Sequence, residues 1–492
     1  MFKSTRQHPI VIFTGIFKEL KSFVGPILIA LLLSRGDGFL SFDMFFFLFL
    51  GGMLILSLVW GFLKWFFFIY DYEDGVLHTK SGIIIKKHRY IKKERVQTIN
   101  LKAGPILRIL QLVSLQIETA GGFAEPELNI AAVSISKAKR LKELLKSNHE
   151  KEVNEGKKEV TEERKEEAKP VSNHRHVLSF KTLIVAGLTS GGVGIIFSII
   201  GIVFSQVIVF IPDEMWEMFF EQFMITVDQF MASSIVGAIA FLVFVILITS
   251  WILSAARMII SYAFFTIERG GDDIQITRGL LEKKQLTLKL HRIQAVTIIE
   301  GIIRQPFGFA TLQVEVAGGA SQDESYTTII HPLIKVSQIQ HFLDEMIPEY
   351  KYTQADIKPL PKRSLKRYMI RGVAPFLLLL PIFYFVPFAW IGSIIFLPIG
   401  YLAYRRYKDG GSYVKDDMLQ IRFRKIARVT ALVTKSHMQN LALSTNFLQK
   451  RSRVTTLSTT VLSAPACMIF SVKDVCETAA KDVFAWYSRS TL

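Results

Sequence analysis

The chain combines a high hydrophobic content with a strongly basic charge. Of its 492 residues, 50% are hydrophobic, and the formal net charge at pH 7 is +17. Its two cysteines, Cys467 and Cys476, argue against a disulfide framework and against a metal site. Apolar and charged residues are segregated along the chain, which is typical of a membrane protein with polar domains.

Four long stretches of the sequence contain no charged residue. They are Met44–Leu63, Thr182–Pro212, Gln229–Ala256 and Gly372–Tyr404, with 20, 31, 28 and 33 residues. A helix needs about 20 apolar residues to cross the hydrocarbon core of a bilayer. These stretches therefore predict membrane spans, and buried core helices are the alternative.

The predicted spans occur in pairs, so that the chain is expected to form three helical hairpins with six spans. The pairs are Ser22–Ser34 with Met44–Phe68, Ser190–Ile211 with Met231–Ala256, and two short crossings within Gly372–Tyr404. A single crossing is the alternative for the third pair. Basic residues on both sides of that stretch favour two crossings, with both ends in the cytoplasm.

An internal repeat follows the predicted hairpins. The phrase LQIETAGG at 115–122 recurs as LQVEVAGG at 312–319, and each lies 18 residues after a glutamine, in RVQTI at 95–99 and RIQAV at 292–296. A third copy has the same spacing after HMQNL at 437–441, but it lacks the glycine pair. Three copies of one structural unit are therefore predicted.

Each copy predicts a small antiparallel sheet closed by a helix. Period-two alternation around Ser-Gly and Arg-Gly turns is typical of β-hairpins, and Ser114–Thr119 and Leu312–Val316 predict further strands. Apolar residues three and four apart predict one amphipathic helix at the end of each copy, at 136–147, 336–346 and 472–487. A compact β-sandwich or half-open barrel fits this order.

These motifs, placed after membrane hairpins, resemble the membrane-flanked bacterial pleckstrin-homology (PH) domain family. The resemblance implies three PH-like β domains and no established catalytic activity, and the charges that flank the predicted spans place these domains and both termini in the cytoplasm. It also implies a smaller membrane-protein relative as a partner. The predicted organisation is a basic N-terminal segment with hairpin 1 (1–68), PH-like domain 1 (69–148), a charged linker (149–173), hairpin 2 (174–264), domain 2 (265–350), hairpin 3 (351–406) and a divergent domain 3 (407–492).

The charged linker is predicted to be solvated, and the start of the chain lacks the pattern of a removable signal peptide. Residues 150–169 carry eight acidic and six basic side chains, and they have too few apolar groups to fold alone. An extended charged helix is the alternative for this stretch. The first residues contain no small-residue cleavage site after an early apolar run.

No catalytic, cofactor-binding or metal-binding motif is recognised, so we expect a protein that is not an enzyme. The stretch KKHRYIKKER at 86–95 has six basic residues in ten and predicts contact with anionic lipid or an acidic partner. The repeated glutamines have a structural alternative, because a mid-strand amide can bond backbone groups. The candidate contact residues are Lys86, Lys87, Arg89, Lys92, Lys93, Arg95, Gln97, Arg292, Gln294 and Gln439.

The favoured function is an integral plasma-membrane platform that contacts membrane lipids and a related membrane protein. Nucleic acid is not expected as a partner, because neither an RNA-reading aromatic motif nor a helix-turn-helix pattern is present. The alternative is a component of a transport, export or antimicrobial-peptide resistance system. The four uncharged stretches lack ionisable groups, which argues against a self-contained transporter.

Overall fold

The computed structural model describes residues 5–15, 39–119, 127–146, 174–190, 221, 235–317, 327–353, 357–377, 396–463 and 467–488. Several predicted features lie outside these described residues. They are the span Ser22–Ser34, all of the span Ser190–Ile211 except Ser190, the linker 149–173, and the Gly-Gly pairs at 121–122 and 318–319.

Each repeat contains two three-stranded antiparallel meanders, and a short strand precedes the first meander. The strands of repeat 1 are β1 (Thr5–Arg6), β2 (Ile69–Glu73), β3 (Val76–Ser81), β4 (Lys87–Lys92), β5 (Val96–Ala103), β6 (Leu112–Thr119) and β7 (Leu128–Ser134). Repeat 2 has β8 (His174–Val177), β9 (Thr266–Gly270), β10 (Asp273–Arg278), β11 (Lys283–Lys289), β12 (Ile293–Glu300), β13 (Phe309–Val316) and β14 (Thr327–Lys335). Repeat 3 has β15 (Lys358–Pro359), β16 (Gly411–Lys415), β17 (Met418–Arg424), β18 (Arg428–Thr434), β19 (Met438–Ser444), β20 (Val454–Val461) and β21 (Met468–Cys476).

The described helices connect the repeats or close them. They are α1 (Phe39–Phe66), α2 (Pro105–Ile109), α3 (Ile135–Lys146), α4 (Phe180–Leu188), α5 (Ile235–Tyr262), α6 (Ile339–Met346), α7 (Ser364–Leu377), α8 (Phe396–Asp409), α9 (Phe447–Arg451) and α10 (Glu477–Ser488). Short 3-10 turns at Lys93–Arg95, Leu290–Arg292 and Lys435–His437 join the two meanders of each repeat.

The hairpins have the same register in all three repeats. The second and third strands of the first meander pair as Val76↔Lys92, Asp273↔Lys289 and Met418↔Thr434. The first two strands of the second meander pair as Val96↔Thr119, Ile293↔Val316 and Met438↔Val461. The predicted three-fold repeat and its hairpins are therefore confirmed, including the divergent third copy.

The sheets do not end where the repeats end. The second meander of repeat 1 and the first meander of repeat 2 form one seven-stranded sheet, in the order β7-β6-β5-β11-β10-β9-β8. Repeats 2 and 3 share a second sheet, β14-β13-β12-β18-β17-β16-β15. A four-stranded sheet (β1-β2-β3-β4) stands before the first junction and a three-stranded sheet (β19-β20-β21) after the second. Backbone hydrogen bonds thus join each repeat to the next.

Each repeat nevertheless has its own hydrophobic core. Buried side chains from both meanders cluster under the closing helix, which contributes Leu141 and Leu145 in repeat 1 and Phe342 and Leu343 in repeat 2. The third closing helix contributes Ala480, although it begins later than predicted, because Val472–Cys476 continues strand β21. The amphipathic pattern predicted the existence of all three helices because each core buries one apolar helix face, but it misplaced the start of the third.

The prediction of three membrane hairpins with six spans is wrong for the described residues. Within the part of the chain that the structure describes, only the Phe241–Tyr262 segment of α5 is long and apolar enough to cross a membrane, and a shorter apolar segment is Gly51–Phe66 in α1. Helix α4 ends after nine residues at Leu188. An uncharged stretch of sequence is therefore not equivalent to one continuous helix.

The two helices at the ends of the third predicted hairpin show why an uncharged stretch need not form a spanning helix. Helix α7 has 14 residues and contains Pro375, which cannot donate a helical backbone hydrogen bond. Helix α8, also of 14 residues, carries charged residues in its last turns, including the buried Asp409. Both are amphipathic helices that pack against each other and against repeat 3, and residues 378–395 between them lie outside the described residues.

Candidate functional site

The predicted basic stretch lies on the exposed edge of the first sheet. Strand β4 is the outermost strand of that sheet, and Lys86, Lys87 and Arg89 are exposed, as is Lys92. Lys93, in the following 3-10 turn, is half-buried. The structure therefore brings the first group of predicted contact residues together along one strand.

The repeated arginine and glutamine residues do not all join that surface. Arg95 is exposed and Gln97 is half-buried in repeat 1. Arg292 is buried at the junction of repeats 1 and 2, and Gln294 is buried on β12. Gln439 is exposed on β19, the outermost strand of the last sheet. These equivalent positions therefore have different surroundings, and the ten predicted residues do not form a single site.

The phrase that repeats in the sequence lies at the first junction. Glu118 of LQIETAGG is buried, and it accepts hydrogen bonds from Thr98 at 2.5 Å and Asn100 at 3.1 Å. Its carboxylate lies 3.9 Å from the Arg292 guanidinium of repeat 2, which also donates to the Ala317 carbonyl at 3.0 Å. Burial lowers the pKa of Arg292, and the charge of Glu118 opposes that shift. The two repeated motifs therefore meet across the boundary between repeats.

The second junction contains a stronger charged contact. Glu300 at the end of β12 is buried and accepts two hydrogen bonds from Arg428 at the start of β18, one of them 2.7 Å long. Arg424 donates to Asp409 at 2.5 Å and to Gln305 at 2.6 Å. Repeat 2, repeat 3 and the end of α8 are thus held together by paired charges in a fixed geometry.

Six loops at the ends of the strands carry exposed apolar side chains, and we call this set of loops the apolar edge. Three are the hairpin tips β3–β4, β10–β11 and β17–β18, and three are the connections β5–β6, β12–β13 and β19–β20. Their exposed large hydrophobic residues are Ile84, Ile85, Ile106, Ile109, Leu110, Leu280, Leu281, Ile302, Ile303, Phe307, Ile426, Phe447 and Leu448. Ile84, Ile109 and Phe447 are each more than 80% exposed, and such groups of apolar side chains mark contact surfaces.

Antiparallel pairing between repeats places four of these loops side by side in two pairs. Ala103 at the end of β5 pairs with Lys283 at the start of β11, and Glu300 pairs with Arg428 in the same way. The connection that leaves one strand is therefore placed beside the tip that leads into the next repeat. A hydrogen bond from Arg108 to the Leu280 carbonyl joins two such loops directly.

The apolar edge adjoins the end of the apolar helix α5. The tip of repeat 2 donates backbone hydrogen bonds to the last turn of that helix, from Gly279 to Ala263 at 2.8 Å and from Leu280 to Ile260 at 2.9 Å. Phe264, just after the helix, is 71% exposed. The hairpin tip of repeat 2 and the end of α5 are therefore in direct contact.

One loop of the apolar edge extends further along the helices. Arg304, in the β12–β13 connection, donates to the Ala186 carbonyl at 2.9 Å and to Thr189 at 3.1 Å, at the end of α4. Leu188 accepts a hydrogen bond from Trp251 of α5, about 16 Å before the end of that helix at 1.5 Å per residue. Burial lowers the pKa of Arg304 to about 10, so it remains a cation at neutral pH.

We expect Gly82→Ala to distort the first hairpin tip. Gly82 has a φ of +106°, and an added Cβ would lie 2.0 Å from the Ile85 carbonyl oxygen. Strain of this kind costs about 1–3 kcal/mol of folding free energy. Urea unfolding in detergent, followed by circular dichroism, measures the loss. Gly104→Ala is the control, because Gly104 has a negative φ and no atom within 4 Å of an added Cβ; equal losses for both would contradict the expectation.

The apolar edge and the charged junctions were not predicted from the sequence. The signal for the edge was present: the turns in KSGIIIKK and TRGLLEKK contain two or three consecutive aliphatic residues, whereas turns are normally polar. The junction pairs gave no local signal, because their partners are far apart in the chain.

Comparison with known proteins agrees with the three-fold architecture. The family model described as "Bacterial PH domain" matches residues 22–149, 222–349 and 372–491. The chain is also similar to the UPF0699 transmembrane protein YdbT of Bacillus subtilis (strain 168), with 34% identity over 504 residues that cover 99% of each chain. This similarity extends over the helices as well as the sheets.

Proposed function

Because the chain belongs to the bacterial PH domain family, we propose that it is a membrane-associated protein whose PH-like domains contact anionic lipid through the apolar edge. The hydrogen bonds between the repeat 2 tip and the last turn of α5 carry this proposal. If α5 crosses the bilayer, its end lies at the interface, and the adjoining tip lies there too. A relative that covers the whole chain is named a transmembrane protein, which supports the membrane assignment.

The surface of α5 supports the same assignment. Along Phe241–Tyr262 the helix carries ten exposed large hydrophobic residues, a larger apolar area than soluble monomers usually leave uncovered. They are Phe241, Leu242, Val243, Phe244, Val245, Leu247, Ile248, Trp251, Ile252 and Leu253. The hydrocarbon core of a bilayer would cover these side chains and remove them from water.

The charges behind the tips suit an anionic headgroup layer. Ile84 and Ile85 of the first tip are followed directly by Lys86 and Lys87, so apolar side chains reach outward and cations follow them. Each cation close to an anionic surface contributes about 1 kcal/mol. Basic residues near a bilayer also favour its cytoplasmic side, so we place the PH-like domains in the cytoplasm. The proposed role is binding, and it assigns the chain no catalytic step.

The test measures the depth of the first tip directly. In a chain with Cys467→Ser and Cys476→Ser, Ile85→Cys is labelled with an environment-sensitive fluorophore and reconstituted into nanodiscs. We expect a blue-shifted emission that is quenched by spin-labelled acyl chains, more strongly with phosphatidylglycerol than with phosphatidylcholine alone. Replacing Lys86 and Lys87 by alanine is expected to reduce that lipid dependence.

The matched control is the same label at Glu73→Cys. Glu73 is exposed at the β2–β3 turn. This turn lies at the end of β3 opposite the β3–β4 tip, roughly 20 Å away at 3.3 Å per residue. The label there is expected to remain in water. Equal emission and quenching at the two positions would refute the lipid contact, and equal insertion in both lipids would refute the preference for anionic headgroups.

A further inference from the structure

The first and the last of the three repeats each have one strand whose equivalents pair between repeats but which itself lacks such a partner among the described residues. Within the described residues, β4 is the outermost strand of the first sheet and β19 is the outermost strand of the last. Their equivalents are paired: β11 and β18 hydrogen-bond to the preceding repeat, and β5 and β12 bond to the following one. Strand β4 of repeat 1 is therefore the equivalent of the strands that pair with a preceding repeat, β11 and β18.

Exposure shows what pairing does to this strand. On β18, residues 430–433 are buried, whereas their equivalents on β4, residues 88–91, are exposed except for Ile91. An unpaired strand edge is a template for another strand, and lysines often protect such edges. Lysine does not prevent pairing in this fold, because Lys283 and Lys284 stand at the same place on β11 and are paired.

Each internal junction contains one arginine–glutamate pair. At the first it is Arg292 with Glu118, 3.9 Å apart, and at the second it is Arg428 with Glu300. Because the repeats share one register, Arg292 and Arg428 each have an equivalent residue in repeat 1. We call the β4 edge of repeat 1, where these equivalents lie, its front, and the β19 edge of repeat 3 its back. Arg95 corresponds to Arg292 and Lys86 to Arg428, so the front of repeat 1 presents both cations.

The open back of repeat 3 offers no matching acid. The residues equivalent to Glu118 and Glu300 are Thr460 and Thr445, both neutral. A second copy of this chain, joined through β19, would therefore leave Lys86 and Arg95 without a carboxylate. Another strand fits the edge better than lipid, because only a strand offers a regular row of both backbone donors and acceptors.

We propose that β4 pairs with a strand of a PH-like domain from a different chain, one that carries a glutamate or aspartate opposite Lys86 or Arg95. That domain takes the place of a preceding repeat and extends the first sheet in the register of the internal junctions. The inference does not rest on the lipid contact. Lys86 takes part in both contacts, but the tip Ile84–Ile85 meets lipid alone, whereas His88, Arg95 and the backbone of β4 meet the partner alone, so either contact can fail without the other.

The first experiment is photo-cross-linking of the full chain in native membranes. His88 is replaced by p-benzoylphenylalanine, because it is exposed in the middle of the pairing region of β4, and the exposed Glu143 on α3 is the control position. We expect an adduct from position 88 alone, with a separate chain whose PH-like sequence contains the cross-linked peptide. An acidic residue is expected in that peptide two positions after the cross-linked one, opposite Lys86, or in the partner strand that faces Arg95.

A charge exchange accompanies the cross-linking. Lys86→Arg is expected to keep the adduct, whereas Lys86→Glu combined with Arg95→Glu is expected to remove it, and a basic residue in place of the partner's acid is expected to restore it. The proposal is overturned by no adduct at position 88, by an adduct within 438–444 of a second copy, by an adduct with lipid alone, or by a partner strand without either acid.

The second experiment creates the missing acid on this chain. Thr445 is exposed at the back of repeat 3, and Thr445→Glu would place a carboxylate opposite Lys86 of another copy. We expect wild type to be monomeric in detergent by light scattering, and Thr445→Glu to self-associate about tenfold more tightly or better. Thr445→Gln is expected to remain monomeric, and Lys86→Glu is expected to reverse the association. Self-association of wild type, or unchanged mass for Thr445→Glu, would contradict the charge rule.

Discussion

Replacing Asp474 by asparagine is expected to lower the free energy of unfolding by about 3 kcal/mol. Asp474 on β21 is fully buried, and its carboxylate accepts hydrogen bonds of 2.9 Å from Arg367, Arg371 and Gln449. Loss of one partner from a buried ion pair costs about 3–5 kcal/mol, because the remaining charge is uncompensated. The low end applies, since Arg371 is 39% exposed and water screens it.

The measurement is urea unfolding of the purified chain in detergent. Asparagine is chosen because it tolerates the left-handed backbone of residue 474, whose φ is 57°. Asp474→Ala is expected to cost more, since it adds backbone strain. The exposed Asp482→Asn is the control and is expected to change stability by less than about 0.5 kcal/mol. A loss at Asp474 no larger than at Asp482 would mean that α7 is not held to the sheet by this carboxylate.

Replacing Glu315 by glutamine is expected to stabilise the protein at alkaline pH. Glu315 is the second copy of the junction glutamate, but it has one hydrogen bond, from Ser463 at 3.0 Å, and its other oxygen has no partner among the described residues. Burial raises the pKa of Glu315 from 4.5 to about 7, an effect that the Ser463 hydrogen bond opposes. The carboxylate therefore ionises at a cost in the folded chain.

The pH window follows from that raised pKa. Between pH 4.5 and about 7 the folded chain holds a proton that the unfolded chain has released, so stability falls as pH rises through this range. At pH 8 we expect Glu315→Gln to gain about 3 kcal/mol over wild type, which is the free energy of the shift. At pH 5 the gain is expected to be small. Thermal unfolding at both pH values measures the difference.

Glu118→Gln is the matched control, since it alters the equivalent residue of repeat 1. Glu118 has two side-chain donors and a neighbouring arginine, so its charge is stabilised where that of Glu315 is not. We expect Glu118→Gln to destabilise the protein at pH 8. A gain for both variants, or a gain at Glu315 that is equal at pH 5 and pH 8, would contradict the assignment.

The repeats and their hairpins were predictable because their signals are local. Alternation of apolar and polar residues, as in β3 and β10, reflects which side chains a strand buries. A glycine with positive φ marks the β3–β4 tip of repeat 1 and the β10–β11 tip of repeat 2. The closing helices follow from apolar residues three and four apart. The basic stretch 86–95 was also found, since charge clusters are visible in the sequence.

The membrane segments were predicted less well. Hydropathy reports which residues avoid water, but it does not report where one helix ends. Helix α4 ends at Leu188 inside an uncharged stretch, and Pro375 lies in the short helix α7. Helix α5 was predicted correctly as an apolar helix because its long run contains neither proline nor charge before Arg257.

The sequence by itself determined three copies of one β unit, the register inside each copy, the closing helices and one long apolar helix. All of these depend on contacts between residues that are close in the chain. Only the tertiary structure decided that β5 pairs with β11 and β12 with β18, that Arg292 meets Glu118, and that the apolar tip of repeat 2 adjoins the end of α5. Pairing between repeats uses backbone hydrogen bonds, which every residue except proline can donate, and it therefore leaves no pattern of side chains to read.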